Sequence, residues 1–150
     1  MDGNWWKRLA FVLKRRKMVV TRNLFQEQFL QAFAPNLTNW ERRKYCIDWK
    51  EKGYLWHLFS NNLVPCLVGD KAREAYDRAD KTDALEIQYD YGLGDEIMHP
   101  LSSTYTTALK VDQYGYTEFY IVGKNFSWCY VVTHELDLCG PYFCYNQNLK

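Results

Sequence analysis

The chain predicts an α+β domain, with N-terminal helices packed on one face of a largely antiparallel β-sheet. Three observations carry this. Phe25, Phe29 and Phe33 recur at helical spacing. Residues 85–91 alternate strictly, with Leu85, Ile87, Tyr89 and Tyr91 on one face and Glu86, Gln88 and Asp90 on the other. The β-rich runs "TEFYIVG" and "FSWCYVVTHE" are separated by a short Gly123-Lys124-Asn125 loop, a hairpin arrangement. Helices come first and strands later.

The length of 150 residues suits one folding unit. Hydrophobic residues at 47% and charged residues at 25% match an ordinary globular protein and exclude a disordered one. Aromatic residues reach 17% and crowd the C-terminal third. Their density there suggests adhesive surface as well as core. The net charge of +1 hides an asymmetry. Lys7, Arg8, Lys14, Arg15, Arg16 and Lys17 face only Asp2 in the first 17 residues, and the remainder is mildly acidic.

Residues 1–20 therefore read as a basic amphipathic N-terminal segment, and 21–150 as a single α+β domain. Trp5, Leu9, Val12 and Leu13 share a helical face. That helix docks on the domain, lies on an anionic membrane, or meets nucleic acid; composition gives no strong nucleic-acid signal. The charges follow the apolar stretch instead of preceding it, unlike a secretion signal. No apolar run reaches the ~20 residues of a membrane span.

"TRNLFQEQFLQAFAP" is the clearest helix, ended by Pro35. Thr38 and Glu41 form a capping-box pattern that opens a second helix, expected to close near Gly53 with Trp40, Ile47 and Trp49 buried. "YLWHLFS" reads as a short strand, with His57 alternating with Leu55 and Phe59. Asp70 caps a third helix through about Ala79, burying Ala72, Ala75, Tyr76 and Ala79. Residues 97–113 are ambiguous between strand and loop.

Few residues carry recognisable chemistry. His134-Glu135 lacks the second histidine of a zincin helix, since Leu138 stands four residues on. The β-branched run before it favours a strand, which would place His134 and Glu135 on opposite faces. Cys46, Cys66, Cys129, Cys139 and Cys144 are an odd number without the density of a disulfide scaffold, and their spacing is too loose for a structural zinc site. Reduced thiols in a cytoplasmic protein follow, with no metal and no cofactor expected. There is no P-loop, and Gly92-Leu93-Gly94 lacks the rest of a dinucleotide fingerprint. The catalytic candidates reduce to His57, His134 and Glu135, on the condition that they converge on one pocket.

Two stretches carry a resemblance. Leu55, Trp56, His57, Phe59 and Ser60 form one element. Tyr120, Val122, Phe126, Trp128, Tyr130, Val131, Thr133, His134 and Glu135 form the other, followed by Gly140, Pro141, Tyr142 and Phe143. Together they resemble a family of small proteins of Bacillus and related Firmicutes, known as a domain of unknown function, over roughly residues 24–143. The resemblance implies a cytoplasmic bacterial protein and brings no activity with it. Cys129 falls where the pattern has Thr, and Cys139 and Cys144 lie outside it, which weakens a cysteine-based mechanism. Size, aromatic content and sheet are also similar, at the level of fold alone, to bacterial immunity proteins that neutralise toxins.

The leading expectation is a non-enzymatic protein-binding domain, an immunity-like or regulatory factor, docking a partner through Trp56, Trp128, Tyr130, Tyr142 and Phe143. The first alternative is an enzyme with a His57/His134/Glu135 pocket. The second is membrane or nucleic-acid association through the basic residues 7–17. Oligomeric state is not encoded in any of these features.

Overall fold

Phenylalanines at i, i+4 and i+8 of one helix must cover an apolar surface, and here that surface is a sheet. The computed structural model describes residues 18–20, 22–47, 53–90, 95–115, 118–135 and 138–149. Helix α1 spans Arg22–Phe33. Its Phe25, Phe29 and Phe33 are all 0% exposed. Phe25 and Phe29 meet the Tyr120 ring edge-on at 6.3 and 5.9 Å. Edge-to-face packing of this kind adds to the gain from burial alone.

The strands are β1 (Met18–Val20), β2 (Leu67–Val68), β3 (Leu85–Asp90), β4 (Asp95–Pro100), β5 (Phe119–Val122), β6 (Trp128–Val132) and β7 (Tyr142–Tyr145). They form one sheet in the order β1-β4-β3-β5-β6-β7-β2, with every pairing antiparallel. Because Met18–Val20 pairs with β4, the sheet begins before residue 21 and extends into the N-terminal segment.

The α+β class holds. On one face, Leu85, Ile87, Tyr120, Val122, Cys129, Val131, Tyr142 and Cys144 pack with α1 and with α3 (His57–Ser60). The opposite face is covered as well. Phe119, Ile121, Trp128, Tyr130, Val132 and Phe143 pack with Ala72 and Tyr76 of α4 (Asp70–Arg78) and Ala108 and Val111 of α5 (Ala108–Tyr114). Helices on one face alone were expected, yet β5 and β6 are buried at every position. Strands covered on both sides read as continuous apolar runs, which "FYIV" and "WCYVV" are. At Glu86 this also corrects the half-exposed reading of β3. Glu86 is 5% exposed, and its carboxylate accepts a hydrogen bond from the Ser102 amide at 3.1 Å.

Other elements differ from the sequence reading for local reasons. Residues 54–60 form a turn running into α3, not a strand. Leu55, Trp56, Leu58 and Phe59 are buried, a helical pattern that alternation cannot produce. The Thr38–Glu41 capping box is present and opens α2 (Asn39–Lys44). That helix ends well short of Gly53, with Cys46 at a positive φ of 51°. Trp40 is 60% exposed, not buried, and lies beneath the Lys44 ammonium at 4.5 Å. Ile47 is buried as expected, and Trp49 lies outside the described residues. Asp70 is the first residue of α4 and not its cap. Gly69 takes that place at φ 63°, and the Asp70 carboxylate instead accepts from Arg73 at 3.1 Å. The ambiguous stretch resolves into β4, a 3-10 turn at Ser103–Tyr105, and α5.

Residues of the two layers should respond differently to truncation. Phe29→Ala opens a core cavity and is expected to cost about 3–5 kcal/mol in urea denaturation. Tyr130→Phe deletes a buried hydroxyl that has no hydrogen-bond partner among the described residues. Stability should stay level or rise by about 1 kcal/mol. A Tyr130→Phe loss as large as that of Phe29→Ala would refute this account of the second layer.

Candidate functional site

The hairpin of β5 and β6 creates the most chemically unusual place in the fold. Its register pairs Phe119 with Val132. Strand β6 ends at Val132, and the turn that follows brings His134 back to Glu118. The expected strand through Glu135 is therefore wrong, and so is its consequence. His134 and Glu135 are not split across two faces: His134 Nε2 stands 4.0 Å from Glu135 Oε1.

Thr133 anchors this turn. It is 1% exposed, its hydroxyl donates to the Cys139 carbonyl at 2.9 Å, and the same oxygen accepts from the Glu135 amide at 3.2 Å. The Leu138 and Cys139 amides both donate to the Glu135 carbonyl. With its backbone fixed, the loop presents His134 on the surface.

His134 Nδ1 lies 3.4 Å from Glu118 Oε2, the separation of an ion pair more than of a short hydrogen bond. Glu118 is the more buried partner, with its side chain 15% exposed against 36% for His134. Its other oxygen accepts from the Tyr120 hydroxyl at 3.2 Å, and that hydroxyl accepts from the Trp56 amide at 3.3 Å. A relay therefore runs from the backbone of residue 56 to the His134 ring. Burial raises the Glu118 carboxyl above its ordinary value, while hydrogen bonds and charge from His134 pull it back.

His57 joins the same frame. Its Nδ1 stands 2.9 Å from the Tyr45 carbonyl and 3.1 Å from that of Cys46. Carbonyls only accept, so Nδ1 carries the proton and Nε2 is the acceptor nitrogen of the neutral tautomer. The rings of Tyr54 and Trp56 each touch both histidines: Tyr54 at 5.5 and 5.2 Å, Trp56 at 4.4 and 5.6 Å. Tyr54 and Trp56 thus set His57 beside His134 on one aromatic frame, and Glu135 stands next to His134 alone.

Cys139 completes the rim, its thiol donating to Glu135 Oε2 at 3.6 Å. Desolvation and the neighbouring carboxylate push that thiol up, so it is a proton donor and a poor nucleophile. Among the described residues, no three His, Cys, Asp or Glu side chains are grouped to hold a metal ion.

The aromatic residues expected to dock a partner lie inside the fold. Trp56, Trp128, Tyr130, Tyr142 and Phe143 are all 6% exposed or less. Lys7, Arg8, Lys14, Arg15, Arg16 and Lys17 fall outside the described residues. Among the described residues no helix is long and apolar enough to cross a membrane. Nothing in residue type or local spacing marks Glu118, Tyr120 or Tyr54 as site residues. The hairpin itself held the signal for Glu118, since pairing across the Gly123-Lys124-Asn125 loop sets residue 118 against the end of β6.

The Glu118 shift has a signed consequence. A carboxyl raised in the folded state binds protons more tightly than in the unfolded chain, so stability falls as pH rises through the carboxylate range. Relative to Glu118→Gln, the wild type should therefore be most stable below the ordinary carboxylate range and lose that advantage as pH rises through it. Paired urea titrations across this range would check it, and a difference that grew in the opposite direction would contradict it.

No curated protein and no solved structure matches the chain. A family model does, over residues 8–143, reaching into the basic N-terminal segment. On that match the chain belongs to the family described as a domain of unknown function, DUF4275.

Proposed function

We propose that the chain acts through an acid–base site in which His134 moves a proton, positioned by Glu118 and flanked by Glu135 and His57. The observation that carries this is His134 lying between two carboxylates while sharing the Tyr54/Trp56 frame with His57. A neutral ring with its Nδ1 proton towards Glu118 leaves Nε2 free as a base, and Glu118 stabilises the imidazolium that follows. His57 supplies a second nitrogen lone pair to orient a polar substrate. The reaction class is proton transfer on a small polar molecule, and general acid–base catalysis by a positioned group contributes ~10²–10⁴-fold.

Protein docking, in an immunity-like or regulatory role within a bacterial cytoplasm, is the second reading. It is favoured by exposed apolar side chains beside the short edge strand, Val68 at 51% and Tyr145 at 60%. An edge strand of this kind can accept a strand from a partner. Neither reading draws on the basic residues 7–17.

Turnover of a panel of chromogenic carboxylic and phosphate esters would separate the two. The acid–base reading expects measurable wild-type turnover and a fall of at least tenfold in folded His134→Gln. Turnover unaffected by His134→Gln, or absent on every ester, would remove this reading and leave docking in its place.

A further inference from the structure

The strand register brings two cysteines together at a place the His134 site does not use. Cys129 of β6 and Cys144 of β7 are directly opposed in the antiparallel ladder. Both point to the α1 face of the sheet, and both are free thiols at 0% and 1% exposure. Opposed residues on neighbouring antiparallel strands lie ~4.5–5.5 Å apart between Cα atoms, within the ~4.4–6.8 Å that a disulfide spans. We propose that Cys129 and Cys144 form a peroxide-reactive dithiol site that closes into a cross-strand disulfide.

The two thiols are not equivalent. Cys144 Sγ accepts from Gln147 Nε2 at 3.8 Å, and the carbonyls of Pro65 and Tyr145 lie within 3.4 Å as acceptors for its proton. A hydrogen bond from Cys129 holds the Cys144 thiol below its usual value, whereas burial pushes Cys129 up. Cys144 is thus the better nucleophile and Cys129 the resolving partner. Cys144 is also nearer to water. Pairing with β2 stops at Phe143, and the next residues, Tyr145 and Gln147, are exposed. Because Cys144 itself is 1% exposed, the oxidant class is one of the smallest size, hydrogen peroxide.

The steps balance. The Cys144 sulfur attacks one peroxide oxygen, the O–O bond breaks, and sulfenic acid and water form. The Cys129 sulfur then attacks the Cys144 sulfur, the S–O bond breaks, and a disulfide and a second water form. Overall, two thiols lose two electrons and two protons to one peroxide, and a dithiol reductant reverses the change.

The test oxidises the reduced full chain with hydrogen peroxide, stops the reaction with catalase, alkylates the unfolded protein and maps its peptides by mass spectrometry. The expected result is a Cys129–Cys144 linkage that dithiothreitol removes and that persists in Cys66→Ser. The proposal fails if Cys129 and Cys144 remain fully alkylated when exposed Cys46 is already oxidised. It fails equally if Cys144 links to Cys66 instead. In Cys129→Ser, dimedone should label Cys144 as a trapped sulfenic acid, and the absence of that adduct in the folded variant would overturn the order of steps and the proposal with it. Should that variant not fold, the wild-type map decides alone.

Discussion

Tyr120 is the side chain on which the rest of this structure depends. Its ring is 4% exposed and closes the core beneath Phe25 and Phe29. Its hydroxyl sits at the edge of that core, accepting from the Trp56 amide and donating to Glu118. A buried tyrosine brings a large apolar area and one polar atom that must find partners. Here those partners are the turn before α3 and the carboxylate beside His134. Core packing therefore sets where α3 begins, and α3 sets where His57 and Trp56 stand.

From that constraint the electrostatics of the site follow. Glu118 cannot move out to full solvation without giving up the Tyr120 hydroxyl, so it stays half-buried and its carboxyl is raised. His134 is the partner nearest to that carboxylate and lies at the surface because Thr133, fully buried, fixes the loop behind it. A half-buried carboxylate holding an exposed imidazole is an arrangement that costs stability once the carboxyl ionises, and it leaves the second nitrogen 4.0 Å from Glu135.

Much of the fold was legible in the sequence. The Phe25/Phe29/Phe33 stripe, the Thr38–Glu41 capping box, the alternation from Leu85 and the β5–β6 hairpin each announce themselves locally. The stretch from Tyr54 to Ser60 did not, because a short apolar run fits a strand or a buried helical turn equally well. The second helical layer was half legible: α4 is announced with Ala72 and Tyr76 on its buried side, whereas α5 falls in the ambiguous stretch 97–113 and buries only Ala108 and Val111. Without it, Trp128, Tyr130 and Phe143 looked like surface. The site was half legible. His57 and His134 were singled out by residue type, but Glu118 lies 16 residues from His134 and meets it only through strand register.

The same register logic keeps the two chemistries of β6 apart. The Glu118–His134 contact is fixed by the pairing of β5 with β6, where Phe119 meets Val132. The Cys129–Cys144 rung belongs to the pairing of β6 with β7, three residues further into the sheet than Val132. A disulfide across directly opposed strands needs no change in their spacing. Closing the rung would tie down both ends of the segment that carries His134, Glu135 and Cys139, while leaving the β5–β6 register as it is. The His134 site and the thiol pair are thus joined through one segment of chain and independent in geometry, so a change in the oxidation state of one need not disturb the proton chemistry of the other.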